Sequence, residues 1–465
     1  MRSSTRPSEG DVLKRRSILG LSSGCVALLA ALTLAGLGAS PSTRPAVTTF
    51  DPDPNHIWNR TYSCLFLRQD RKGRQFGADS PDPLLWFETR HLLTGDSHRK
   101  ALACLDEFLN SHAERAVHDP LKHAILQHDL WAIFDWAAAE GADDFPEARA
   151  ALESRLALAI RRLALSPDEI RSLPDTYTAA VGTHQLPAAY DSADPHRTFL
   201  PPDLFQPDGP WFPLSAYLDE PTAVVHFTGR SRFLIFIRLP AGRAATLAYV
   251  NALRRSAEPP LVKKEQMSLL NLALPQFPEG TQVALVRQAI VMNSEGNLVP
   301  TSLTETVQFR RYHSITPGSE YTNYINGPAS HDQDFFEFHF SRSELFAGHA
   351  GGLVAIQPAD VEFPTFATHG IDSFESPPRL MEQGKILARC FGCHSDSGIH
   401  SVQSRLQWLR APQGPRPADD DGTGRRAVAW ETAVTIARKK QQPDFKLLQE
   451  MWRRQAITDE PRNPH

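Results

Sequence analysis

The chain has 465 residues, 41% hydrophobic and 22% charged, with a formal net charge of −4. That length supports two or three domains and a full globular interior. A pI near 6.5 with no basic stripe among aromatics gives no footprint for nucleic acid, and 37 prolines argue against an all-helical protein.

Residues 1–40 have the form of an export signal. Lys14, Arg15 and Arg16 precede an apolar run from Ile18 to Leu37, and Gly38-Ala39-Ser40 suits a signal peptidase. Left uncleaved, a run of about 20 apolar and small residues would also serve as a membrane anchor. Cys25 sits inside that run rather than at its end, which is not where a lipoprotein cysteine belongs.

Residues 41–80 are rich in Pro, Ser, Thr and Asp without a sustained period. They read as a linker, with a short strand at Thr61–Arg68. A helical unit follows over 81–170. Leu102, Leu105, Phe108 and Leu109 share one face of Arg99–Arg115, and Leu121–Glu140 is apolar on most sides. Ala148, Leu152, Leu156, Ile160 and Leu163 form a third stripe, and Ser166-Pro167-Asp168-Glu169 is a capping box with proline at the first helical position. Six histidines fall here: His91, His98, His112, His118, His123 and His128. None are spaced i,i+4 as a one-helix metal site prefers, so they read as surface or hydrogen-bonded core residues. Cys64 and Cys104 are both retained after export, so a disulfide between them is open to the chain but is not decided by the sequence. A free buried thiol is the alternative, because Cys104 lies beside an apolar helix face.

Residues 171–215 are punctuated by proline, including Pro201-Pro202 and Pro210-Trp211-Phe212-Pro213, and read as a connection. From 216 to 377 the pattern changes to strands. Ala223–Phe227 and Arg232–Leu239 suggest a hairpin, and Ala244–Arg255 a helix. Gln282–Met292 and Leu298–Tyr312 flank Asn293-Ser294-Glu295-Gly296-Asn297, a second hairpin. Phe335–Phe340 and Gly351–Ile356 complete an α+β domain on a mainly antiparallel sheet. In Phe335–Phe340, Glu337 and His339 fall on one face and Phe336, Phe338 and Phe340 on the other, the pattern of a strand with one polar face. There is no GxSxG elbow, P-loop, HExxH or dinucleotide fingerprint.

The last segment, 378–465, holds Cys390-Phe391-Gly392-Cys393-His394. Two thiols two residues apart can each add to a porphyrin vinyl group, and the next imidazole can ligate the iron. A structural zinc site would want a second Cys/His pair, and a redox dithiol a βαβ setting. The other cysteines are Cys25, Cys64 and Cys104, and helix followed by loop surrounds the motif. On these five residues the segment resembles the c-type cytochromes. The resemblance implies one covalent haem c held by Cys390 and Cys393, with His394 as proximal ligand. It also implies a small all-α fold in which a helix over Leu380–Arg389 crosses a C-terminal helix at Gly384, against Phe445, Leu448 and Trp452 of Asp444–Arg454. Pro412–Gly424 between them reads as a loop whose Asp419-Asp420-Asp421 is a solvated tip. The family expects a distal methionine or histidine downstream. Met451 lies 57 residues past His394, at a fitting distance but inside the expected last helix. His400, His369 and an open iron position stand beside it.

The resemblance also bears on export. Arg15-Arg16-Ser17-Ile18-Leu19 looks like a twin-arginine signal. That route carries folded proteins, whereas haem c is attached after crossing, so the arginines read as an ordinary basic start. Residues 378–465 carry a net charge of +5 and the acidic body 41–377 a net of −12. A basic haem segment suits docking to the body or to an acidic redox partner, and scattered solvated charge with no binding role is an equal alternative. The expected protein is therefore α+β: a helical N-terminal unit, a mainly antiparallel α+β middle domain and a small all-α cytochrome c-like domain. Its expected function is electron transfer in the periplasm, with a haem enzyme of the peroxidase or oxidase type, or a haem-bearing sensor, as alternatives.

Overall fold

A computed structural model describes residues 47–69, 75–79, 91–139, 144–214, 221–223, 226–256, 274–315, 332–360, 387, 394, 397–402 and 423–459. The chain is mixed α+β, with helices around a six-stranded antiparallel sheet.

The first described element departs from the expected linker and strand. Ile57–Phe66 is a helix, α1, that buries Trp58, Tyr62, Leu65 and Phe66 at helical spacing. The lead-in hides this from a hydrophobicity pattern because it is organised by hydrogen bonds. Buried Asn59 accepts from the amide of Phe50 at 2.9 Å and donates to the carbonyls of Asp51 and Asp53 at 2.7 and 2.8 Å. Two-residue strands β1 (Arg68–Gln69) and β2 (Gln75–Phe76) pair beyond it.

Helices α2 (Gly95–Asn110), α3 (Pro120–Ala137) and α4 (Pro146–Arg162) follow, close to the expected stripes. Cys64 and Cys104, which the sequence leaves undecided, form a disulfide that ties α1 to α2. The capping box forms at Ser166 and Glu169, ahead of the short α5 (Pro167–Arg171). Helix α3 starts on proline with Asp119 as its N-cap, and it is buried on almost every side.

Residues 171–215 are more than a connection. Helix α6 (Thr176–Gly182) and the buried Phe199, Leu200, Leu204 and Trp211 cover one sheet face, meeting Leu234, Phe236, Val307, Phe309, Phe336 and Phe338. The sheet is a meander: β3 (Phe212–Leu214), β4 (Ser231–Arg238), β5 (Gln282–Met292), β6 (Leu298–Tyr312), β7 (Gln333–Phe340) and β8 (Leu353–Ala355), each antiparallel to the next. The β5–β6 hairpin has the expected bounds. Asn293 Oδ1 accepts from the amides of Glu295 and Asn297, and Gly296 takes a positive φ of 80°. The expected strand Ala223–Phe227 is absent among its described residues, and β4 pairs with β3 instead. Pro213 is tolerated there because β3 is an edge strand.

The second sheet face, bearing Ile235, Ile237, Val283 and Tyr312, packs against α7 (Arg243–Ser256) and Ile399 of the short α9 (Ile399–Val402). Helix α8 (Arg342–Phe346) lies between β7 and β8 and follows β7 directly. Helices α10 (Arg425–Gln441) and α11 (Pro443–Asp459) end the described chain. Phe445, Leu448 and Trp452 are buried as expected, but in the core shared with α3 and α4, with Phe445 at 6.2 Å from the Trp131 ring. That face is thus occupied by the helical unit, and Gly384 lies outside the described residues. The large core draws on residues from all three sequence-defined segments. No helix among the described residues is long and apolar enough to cross a membrane.

Candidate functional site

Strand alternation decides which side chains meet on the second sheet face. Val307 and Phe309 point into the first core, so Gln308, Arg310 and Tyr312 of β6 lie on the other side. Register places Arg310 between Val283 of β5 and Phe335 of β7, and Gln308 between Leu285 and Glu337. At this end of the sheet α9 packs down and His394 is held.

The anchor is the backbone of α9. The carbonyl of Ser401 lies 2.8 Å from His394 Nδ1 and 2.8 Å from Arg310 Nη1. A carbonyl only accepts, so Nδ1 carries the hydrogen and Nε2 of the neutral ring carries the lone pair. Gln333 Nε2 donates to the His394 carbonyl at 2.6 Å, and Tyr312 Oη lies 2.6 Å from Ser401 Oγ. The turn into α9 is fixed by Gln276, which accepts from the amide of Ile399 at 2.9 Å. Gly398, at φ +57°, is pressed so close to Gln276 that an added Cβ would lie 2.1 Å from its Oε1.

Electrostatics keep the imidazole neutral. Burial first, then the Arg310 guanidinium, and to a lesser extent His226, push the His394 pKa down to about 3, against the Ser401 hydrogen bond that pulls it up. Arg310 itself is buried. Its partners are the Ser401 carbonyl, Tyr312 Oη at 3.5 Å and the Phe335 ring at 5.9 Å. No carboxylate among the described residues pairs with it. Gln308 Oε1 is buried beside it without a hydrogen-bond partner among them.

Facing His394 is His226. The two rings lie 6.3 Å apart between centroids with 23° between planes, and Phe233 lies 5.9 Å beyond His226. The His226 segment is fixed to α10 at three points. Glu431 accepts from Thr222 N and Oγ1 at 2.8 and 2.7 Å, and the Arg438 guanidinium lies 5.0 Å over the Phe227 ring. Gly229, at φ +73°, sits against the Lys439 side chain, where a Cβ would come within 2.4 Å.

Of the residues singled out in the sequence, His394 is in this site, and Cys390, Cys393 and His369 lie outside the described residues. His400, on α9, is buried; burial lowers its pKa, and its Nδ1 has no hydrogen-bond partner among the described residues. Its ring is not among those in contact with His394. Met451 is partly buried on α11, packed against the large core with Leu447 and Ile436. In the helical unit, His98 and His123 bond the carbonyls of Leu92 and Val117, and His128 that of Arg230. Among the described residues no group of three His, Cys, Asp or Glu could hold a metal ion. Arg310 and His226 carried no motif in the sequence, and only the sheet register and loop path bring them to His394. No protein-family model matches the chain, and neither a curated protein nor a solved structure matches it.

Proposed function

We propose that the chain is an exported mono-haem c-type cytochrome that transfers electrons, with Cys390 and Cys393 attaching the haem and His394 ligating its iron. The observation that carries this reading is the state of His394. Its Nδ1–H is committed to a backbone carbonyl and the ring is kept neutral, which leaves Nε2 as a lone-pair donor of fixed orientation. Metal-bound histidines are typically held this way by a second partner. The buried Arg310 supports the same reading: a bound porphyrin would bring carboxylates to a cation that no carboxylate among the described residues pairs with.

When bound, the haem supplies a one-electron iron couple. The chain's own residues hold the ligand ring, set its tautomer through Ser401, and place a fixed positive charge beside it. A cation near a bound iron would disfavour its more positive oxidation state, so Arg310 would raise the reduction potential. The Cys64–Cys104 disulfide supports an oxidising compartment. The basic C-terminal segment supports docking to an acidic redox partner, with association that slows as salt rises.

The test is expression of the full chain in a host with c-type haem maturation. Haem should stay on the polypeptide in a denaturing gel, because thioethers survive unfolding. It should be absent from the Cys390→Ala/Cys393→Ala chain. A negative haem stain for the unaltered protein overturns the proposal.

A further inference from the structure

We infer that this chain must fold where no oligosaccharide is transferred to unfolded polypeptide, because Asn59-Arg60-Thr61 is an N-glycan acceptor sequence that the native fold closes. The inference rests on the export reading above and sharpens it. A disulfide alone does not separate the oxidising compartments. The acceptor sequence does: it excludes a lumen that glycosylates chains before they fold, and it admits a periplasm.

The burial of the triplet carries the inference. Asn59-Arg60-Thr61 is the one Asn-X-Ser/Thr sequence in the 465 residues. In exported proteins such a triplet ordinarily belongs to the surface, since a glycan is bulky and hydrated. Here Asn59 and Thr61 lie on α1 and both are 0% exposed. The Asn59 carboxamide also has no hydrogen-bonding capacity left. Its Oδ1 accepts from the amides of Phe50 and Asp51 at 2.9 and 3.3 Å, and its Nδ2 donates to the carbonyls of Asp51 and Asp53 at 2.7 and 2.8 Å. These four bonds fold residues 50–53 back over α1. The Phe50 ring is thereby set 5.3 Å from Tyr62 and 5.7 Å from Trp58, and Lys122 Nζ reaches the Phe50 carbonyl at 2.7 Å.

Modification and this arrangement exclude each other. Transfer from a lipid-linked oligosaccharide joins the anomeric carbon of the sugar to Nδ2. The carbon–oxygen bond to the lipid pyrophosphate breaks, the pyrophosphate leaves with the lipid, and Nδ2 gives up one proton. One N–H remains, so either the Asp51 or the Asp53 carbonyl loses its donor, and a position closed to solvent has no room for a sugar. A glycan added before folding therefore keeps the lead-in off α1 and leaves Phe50, Trp58 and Tyr62 uncovered. Thr61 allows the acceptor sequence to be removed without touching these bonds. Its Oγ1 is buried with no hydrogen-bond partner among the described residues, so Thr61→Val deletes the acceptor hydroxyl and breaks no contact of that kind.

The experiment directs the full chain into endoplasmic-reticulum microsomes by an added signal, and in parallel exports it to a bacterial periplasm by its own. In microsomes the unaltered chain should gain one glycan, removable by an endoglycosidase. The same chain made with a competing acceptor tripeptide should carry none. Protease should digest the glycosylated chain at least about tenfold faster than the tripeptide-treated one, the change in unfolded fraction that losing a buried hydrogen bond brings. Thr61→Val should be unglycosylated and resistant without the tripeptide. The tripeptide comparison needs no substitution, so it decides the matter even where Thr61→Val folds poorly. A microsomal chain that stays unglycosylated without the tripeptide, having folded ahead of transfer, overturns the inference. Equal protease resistance with and without the glycan also overturns it. Absence of the chain from the periplasm overturns the export reading instead, on which the microsome comparison does not depend.

Discussion

The two ends of the sheet treat buried charge in opposite ways. At the end that meets α3, buried cations are met by carboxylates. Arg342 pairs with Asp129 through two hydrogen bonds, and both side chains are at most 3% exposed. Asp135 accepts from Arg230 at 2.5 Å and from Lys439 at 2.8 Å, and Lys439 also reaches Asp444 at 2.8 Å. Gln127 adds a neutral clip, exchanging hydrogen bonds with both backbone groups of Met292 at 2.9 and 3.0 Å. At the other end Arg310 is equally buried but finds a carbonyl and a phenol, and the nearby His394 is held neutral. One end is self-contained. The other leaves a buried cation and a neutral imidazole without a carboxylate partner among the described residues.

The largest expected effect lies at the α3 end. Arg342→Met leaves Asp129 buried and unpaired, which should cost about 3–5 kcal/mol of folding free energy. Denaturant titration measures it, and a loss below about 1 kcal/mol would mean the ion pair is not what joins helix and sheet. The helical unit that includes α3 also carries the disulfide between α1 and α2, whose cysteines are 40 residues apart. Replacing both Cys64 and Cys104 by Ala should lower stability by about 4 kcal/mol on the chain-entropy account. An unchanged melting temperature after reduction would show that this bond contributes nothing.

The matching change at the other end should be much smaller. In the Cys390→Ala/Cys393→Ala chain, which cannot form thioether links, Arg310→Met removes a buried cation that no carboxylate among the described residues pairs with. The lost hydrogen bonds and the relieved desolvation oppose each other, so stability should move by no more than about 1 kcal/mol. If the chain carries haem c as proposed, the same change should lower its reduction potential. A loss as large as that of Arg342→Met would erase the distinction between the two ends.

The sequence reveals the first of these ends better than the second. The apolar stripes of α2, α3 and α4, the capping box at Ser166 and the β5–β6 hairpin are local patterns, and each appears within a few residues of its expected place. Helix α1 was hidden because its Pro- and Asp-rich lead is organised around buried Asn59, which no hydrophobic period reports. Ala223–Phe227 has strand composition, yet β4 takes its partner from a proline-containing edge strand further upstream. That misreading also concealed His226, an isolated histidine whose meaning depends on how far its segment is folded back. The CxxCH motif makes His394 legible in the sequence, because its spacing is one a local pattern can report. Arg310 and His226 meet His394 only through long-range register and packing, and such contacts leave no local signature.

The smallest effects concern pH, where the two ends should respond with opposite signs. His394 titrates at about 3 in the folded chain, against an ordinary value of 6.5. Between those values the unfolded chain holds a proton that the folded chain does not, so this contribution is complete above about pH 6.5 and drains away as pH falls toward 3. Asp444 behaves in reverse. Burial, with Asp135 nearby, raises its pKa above the ordinary 3.8 despite the pull of Lys439. The folded chain therefore holds that proton more firmly, and the contribution is present at low pH and lost as pH rises through the raised value. In the chain lacking Cys390 and Cys393, His394→Gln should flatten the acid loss of stability between pH 6.5 and 4.5, whereas Asp444→Asn should steepen it. Urea midpoints across that range read both slopes. If both substitutions changed the slope in the same direction, the two ends would not differ in their electrostatics as the side-chain pairings require.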